Sequence, residues 1–253
     1  MIVIRSLIMA FSCFSAIPMP TIEWDEYNMR YLMAAFPLVG VAIGASVLIW
    51  QLVCSTLGFG PVLTGAGYTL IPILISGGIH LDGFADVVDA QSSHAEPARK
   101  REILKDPHIG AFAAMGTCCY LIAYFALTCE LEERHLLLLA CMPVISRCLS
   151  AFATVTFRSA SKSGMLAAEQ STASAKVVRA VVAALFCLAS GIMLSRDVFV
   201  TTVTLIVAVV TLLLVRRLAE REYGGMSGDL AGFFLQVAEL AMLACVVIVG
   251  RMV

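Results

Sequence analysis

The chain has 253 residues, of which 60% are hydrophobic and 14% charged, with a mean hydropathy of +0.93. Soluble domains run about 45–50% apolar and about 25% charged, so a single water-soluble domain is excluded. Disorder is excluded too, because it needs low hydrophobicity and high net charge. A net charge of −1 supplies no field for a polyanionic backbone, so no nucleic-acid partner is expected, and the lipid bilayer is. The nine cysteines, odd in number and without a CxxC pair, read as buried thiols rather than a disulfide framework.

In chain order, Met1 to Ile17 holds one Arg and a short apolar stretch ended by Pro18-Met19-Pro20. It is short for a span, so it reads as an interfacial or re-entrant helix, with an uncleaved eighth span as the alternative. Apolar runs of spanning length then follow at 32–57, 61–79, 109–128, 135–157, 177–195, 198–215 and 230–250. A backbone in lipid must satisfy its own hydrogen bonds, which makes each run a helix. The expected fold is an all-α polytopic bundle of about seven transmembrane helices after a short N-terminal helix. With no linker or repeat, it forms one integral membrane domain, 1–253; a homo-oligomer is compatible with the sequence but not specified by it.

Connections on one side hold 13 of the 17 Lys and Arg residues, those on the other side hold three, and Arg147 lies within a span. Short basic loops stay in the cytoplasm. The N-terminus and the connections 80–108, 158–176 and 216–229 are therefore assigned to the cytoplasmic face of a cytoplasmic membrane, and any chemistry should face inward.

The sharpest motif, His80-Leu81-Asp82-Gly83-Phe84-Ala85-Asp86-Val87-Val88-Asp89, follows the second span. At 100° per residue, Asp82, Asp86 and Asp89 fall within about 60° of one another on a helix. Three carboxylates on one face repel, and Mg²⁺ favours such oxygen ligands together with water and substrate phosphates; the bland alternative is a solvated helix face. His80 falls roughly opposite the stripe, as a structural, substrate-ordering or proton-transfer group.

Further along, Arg99-Lys100-Arg101 suits anionic lipid headgroups. Lys105-Asp106, just before Pro107 and Gly110, could meet a phosphate and join the metal set. Arg158 and Lys162, followed by Gly164, form a second cationic stretch. Glycines around Gly225, Ser227 and Asp229 at a helix start allow close approach of a ligand, beyond what an N-cap requires. Arg147 and Glu239 lie at similar depth within spans, where a lone charge is costly. They are candidates for a buried pair, with substrate phosphate as the alternative partner of Arg147; Gln236 shares the Glu239 face.

These residues resemble the cobalamin synthase family along most of the chain, through Ile17-Pro18-Met19-Pro20, Phe36-Pro37-Leu38-Val39-Gly40 with Gly44, the His80 to Asp89 motif, Lys105-Asp106 to Gly110, Ser146-Arg147 and Gly224 to Glu239. Ala90, Gln236 and Ala16 depart from the family pattern and leave the stripe intact. The resemblance implies that α-ribazole, or its 5′-phosphate, attacks the phosphoryl group joined to the cobinamide of adenosylcobinamide-GDP and that GMP leaves. Asp82, Asp86 and Asp89 would hold Mg²⁺. Lys105, Arg158, Arg147, Glu239, Gly225 and Ser227 would hold substrate, and His80, Asp106 or Asp229 would take the hydroxyl proton. The competing readings are a CDP-alcohol lipid phosphotransferase, which shares the metal chemistry, and an ion-coupled transporter working through Arg147 and Glu239, whose site would lie at the membrane midplane.

Overall fold

The computed structural model describes residues 2–160 and 173–253, and it is all-helical, with no strand among the described residues. In chain order the helices are α1 (Ile2–Phe14), α2 (Glu26–Met29), α3 (Leu32–Leu57), α4 (Pro61–Ser76), α5 (Ile79–Ser92), α6 (Pro97–Ile103), α7 (Ala111–Cys129), α8 (Leu136–Thr154), α9 (Ala175–Leu194), α10 (Val198–Leu218) and α11 (Gly228–Gly250). Six of them, α3 and α7 to α11, are long and apolar enough to cross a membrane.

The expected second span is broken rather than straight, and counting its two pieces as one bent span brings the total to seven. Helix α4 stops at Ser76, and α5 leaves it at 95°. The cause is local. Gly77 (φ 65°) and Gly78 (φ 78°) both take the left-handed conformation, which side chains disfavour. Two such residues in succession end one helix and re-aim the next, while the apolar composition continues across the break. At 16 residues, α4 is about 24 Å long, short of the roughly 30 Å hydrocarbon core, and α5 carries the acidic motif away from the span axis.

Helix α8 is the axis of the bundle, with 15 of its 19 residues buried among α3, α9, α10 and α11. Helix α3 approaches it through Gly40 and Gly44, one turn apart, where a Cβ would collide with the carbonyls of Pro143 and Ala140. Lacking a hydrophobic drive between helices in lipid, close packing of small residues is what holds such a pair. Gly44→Leu is therefore expected to abolish recovery of monodisperse protein in detergent, because the obstructing atom is backbone; wild-type yield would show that α3 can back away.

The N-terminal segment forms a short apolar helix of 13 residues, as expected. In α1, Met9, Ala10 and Phe14 are buried, and Ala16 N–H donates to Ile75 O at 2.7 Å. Val3 and Ile4 remain exposed. None of the nine cysteines is in a disulfide, but Cys118, Cys119 and Cys187 are exposed on the outer surface of α7 and α9 rather than buried. Lys162 and Gly164 lie outside the described residues. Contacts sort the connections into two ends: Arg134 donates to Gly250 O at 2.7 Å at one, while the acidic motif and the glycine-rich segment meet at the other.

Candidate active site

Helix α5 carries Asp82, Asp86 and Asp89, and it crosses α11 at near contact. A Cβ on Gly83 would stand 2.9 Å from both Cα and O of Asp229, and one on Gly232 would stand 3.0 Å from His80 O. The glycine inside the acidic motif thus admits the start of α11, and Asp229 joins the stripe. Burial, then Asp82, Asp229 and Asp89, push the Asp86 carboxyl up to about 6. A cation would relieve this mutual repulsion. Asp89 also serves the fold: its Oδ1 accepts Ala113 N–H at 3.3 Å, closing the start of α7, whose N-cap Gly110 offers no side chain. Among the described residues no three His, Cys, Asp or Glu side chains form a ready-made cage for one ion. The stripe is open, which suits a hard cation that shares its ligands with water and phosphate.

The other expected residues divide. His80 is 5% exposed, stacked on Phe14 with ring centroids 6.2 Å apart and edge-on to Phe36 at 5.7 Å. Burial, then Arg147, hold its imidazole well below the usual histidine range, so it is neutral, and it points into the core rather than toward the stripe. Asp106 is exposed and accepts His108 N–H at 3.0 Å and meets His108 Nδ1 at 2.7 Å; these bonds lower its carboxyl. Lys105 is exposed.

The glycine-rich segment has an internal explanation. Met226 N–H donates to Arg158 O, and Ala160 N–H to Met226 O, both at 2.8 Å. At Gly225 (φ 147°), a Cβ would stand 2.5 Å from Arg158 O, so what approaches this glycine is the chain after α8. Ser227 caps α11 by accepting Leu230 N–H at 3.2 Å. The Arg158 side chain stays exposed beside this junction, and its backbone partner Met226 lies three residues before Asp229.

Arg147 and Glu239 meet in the interior. Arg147 Nη1 donates to Glu239 Oε1 at 2.8 Å and to Pro143 O at 3.2 Å, and Ser146 Oγ donates to the same Oε1 at 2.6 Å. The two residues are 2% and 3% exposed. The guanidinium lies 5.7 Å from the Phe36 ring centre, and Gln236 is buried on the same helix. The structure thus places this pair in the bundle core, bound to each other and not at the open stripe. Sequence reasoning missed Lys100. Within a run assigned to lipid headgroups, it turns inward to Glu222 at 3.0 Å.

The fold is that of a polytopic membrane protein with an open cluster of carboxylates on a broken helix at one end of its bundle. The chain belongs to the cobalamin-5-phosphate synthase family, which it matches over residues 6–247. It is 40% identical over 249 residues to the adenosylcobinamide-GDP ribazoletransferase of Lachnoclostridium phytofermentans, covering 98% of this chain and 95% of that one. The proteins of the same name from Clostridium botulinum (strain Alaska E43) and Geobacillus thermodenitrificans are 34% and 30% identical, covering 94% and 92% of this chain and 95% and 91% of theirs. No solved structure matches it.

Proposed function

We propose that this chain transfers the cobinamide phosphoryl group of adenosylcobinamide-GDP to α-ribazole or its 5′-phosphate, releasing GMP, with Mg²⁺ as cofactor. The observation that carries this is the stripe of Asp82, Asp86 and Asp89 coupled to Asp229, in a chain whose relatives, matched over nearly full length, bear that name. Asp82, Asp86 and Asp89 are the residues that would hold the cation. When bound, it would neutralise pyrophosphate charge and polarise the phosphorus.

In the reaction, the ribazole hydroxyl oxygen bonds to the phosphorus that carries the cobinamide, the bond from that phosphorus to the GMP oxygen breaks, and the hydroxyl proton passes to a base. Of His80, Asp106 and Asp229, we favour Asp229 as the general base, because the backbone that carries it packs against Gly83 within the acidic motif. Arg158 and Lys105, both exposed, would meet phosphate oxygens. His80 fixes α5 against Phe14 and Phe36.

The test is purified protein in liposomes with adenosylcobinamide-GDP, α-ribazole 5′-phosphate and Mg²⁺. GMP release that stops in excess chelator is expected. Undiminished release in chelator overturns the cofactor assignment, and turnover of a CDP-alcohol in its place overturns the substrate. We further infer that the site faces the cytoplasm of the cytoplasmic membrane, from the 13 to three distribution of basic residues. A cysteine placed at Ser93 should resist impermeant thiol reagents in intact cells, and strong labelling there would reverse the orientation.

A further inference from the structure

The carboxylates of the site arrive on separate elements. Asp86 and Asp89 lie on α5, and Asp229 follows a segment that is not α-helical. Helix α10 ends in a π-helical turn, Ala219–Tyr223, and such turns often mark functional places. Between the turn and α5 stands Lys100 of α6, 7% exposed. Its Nζ donates to Gln91 Oε1 at 3.2 Å and to Glu222 Oε2 at 3.0 Å, and Gln91 Nε2 donates to Tyr223 Oη at 2.8 Å. Arg101 Nη1 adds a bond to Glu222 O at 3.3 Å. The polar circuit therefore closes on itself: Lys100 holds Gln91 and Glu222, Gln91 holds Tyr223, and Tyr223 follows Glu222 in the chain.

Each end of this circuit lies next to a site residue. Gln91 is two residues beyond Asp89, and Tyr223 leads directly into Gly224 to Asp229. Tyr223, 1% exposed, packs in a small cluster with Val87, Ala90, Met226 and Leu230, separate from the main core. Burying an ammonium is costly unless it is paired and hydrogen-bonded. A solvated lysine would serve equally well for topology or lipid attraction, so neither purpose accounts for an inward one.

We propose that Lys100 is a positioning residue for the transfer reaction: held by Gln91 and Glu222, its ammonium sets the aspartate helix α5 against the turn that delivers Asp229. The proposal rests on the assignment of the stripe as the reacting site. Displacing a reacting group by about 1 Å can cost about 100-fold in rate, and a loosened circuit permits such a displacement without unfolding the bundle.

The experiment compares Lys100→Met, Lys100→Arg, Glu222→Gln and the reversed pair Lys100→Glu/Glu222→Lys in liposomes, by GMP release, with Asp86→Asn alongside. Lys100→Met and Glu222→Gln should each lower kcat by about 10-fold to 100-fold, raise the Mg²⁺ concentration needed for half activity, and leave the KM for adenosylcobinamide-GDP nearly unchanged. Lys100→Arg should keep most of the activity, and the reversed pair should recover part of it. If Lys100 touched substrate instead, Lys100→Met would raise KM while Glu222→Gln stayed fully active, and that result overturns the proposal. Where Lys100→Met does not fold, Glu222→Gln, which removes only the charge, decides: undiminished kcat refutes positioning. Inactive Asp86→Asn beside active Lys100→Met sinks this proposal alone, whereas active Asp86→Asn sinks the site assignment beneath it.

Discussion

Asp86→Asn is expected to lower turnover by at least about 100-fold, about 2.7 kcal/mol of barrier, while leaving the cation-free protein no less stable than wild type. The two effects have one cause. The Asp86 carboxyl is raised from 3.8 to about 6 by burial and by Asp82, Asp229 and Asp89, so the fold holds its proton more tightly than the unfolded chain does. Its ionised form therefore costs stability; the cost is fully present above about pH 6 and fades as pH falls toward 3.8. Asparagine removes both the repulsion and the hard anionic ligand. GMP release and thermal unfolding in detergent without divalent cations measure the two sides, and an Asp86→Asn protein that keeps turnover, or that is inactive because it unfolds, contradicts the assignment. Asp89 should behave differently, because its Oδ1 also accepts Ala113 N–H. Asparagine preserves that bond, whereas Asp89→Ala should lose about a further 1 kcal/mol of stability through the missing cap.

The features legible in the sequence are those that helical periodicity or composition fixes locally. The stripe follows from spacing at 82, 86 and 89, and the short α1 from its length. The meeting of Arg147 and Glu239 follows from depth, since two charges in lipid need partners. What is not legible depends on contacts between segments far apart in the chain. The break at Gly77-Gly78 is hidden because the apolar run continues through it, and hydropathy does not register left-handed backbone. The contact between Gly83 and Asp229 makes a fourth carboxylate part of the site, yet nothing local to either residue announces the other. Lys100 sits between two arginines, and a basic triplet reads the same whether its middle side chain points to headgroups or to Glu222. The need for glycine at 225 is equally hidden, because what approaches it is the backbone of Arg158 to Ala160.

Arg147→Met and Glu239→Gln should each cost about 3–5 kcal/mol of stability, because each leaves a buried partner without its counter-charge. The two losses should be unequal. After Arg147→Met, Glu239 keeps the Ser146 hydroxyl, and a stranded carboxyl can take up a proton. After Glu239→Gln, the guanidinium cannot release its proton; it retains the Pro143 carbonyl and the face of Phe36 against a full uncompensated charge, so this variant should be the less stable. The double variant should regain part of the combined loss, and additive losses in the double-mutant cycle would mean that the pair is not coupled. Activity supplies the second discriminator. The pair joins α8 to α11, the helix whose first turn carries Asp229, while its own atoms lie in the core. Turnover should therefore track the folded fraction across the whole cycle, and the double variant should regain activity together with stability. A stable but inactive Arg147→Met protein would instead place the guanidinium in contact with substrate phosphate.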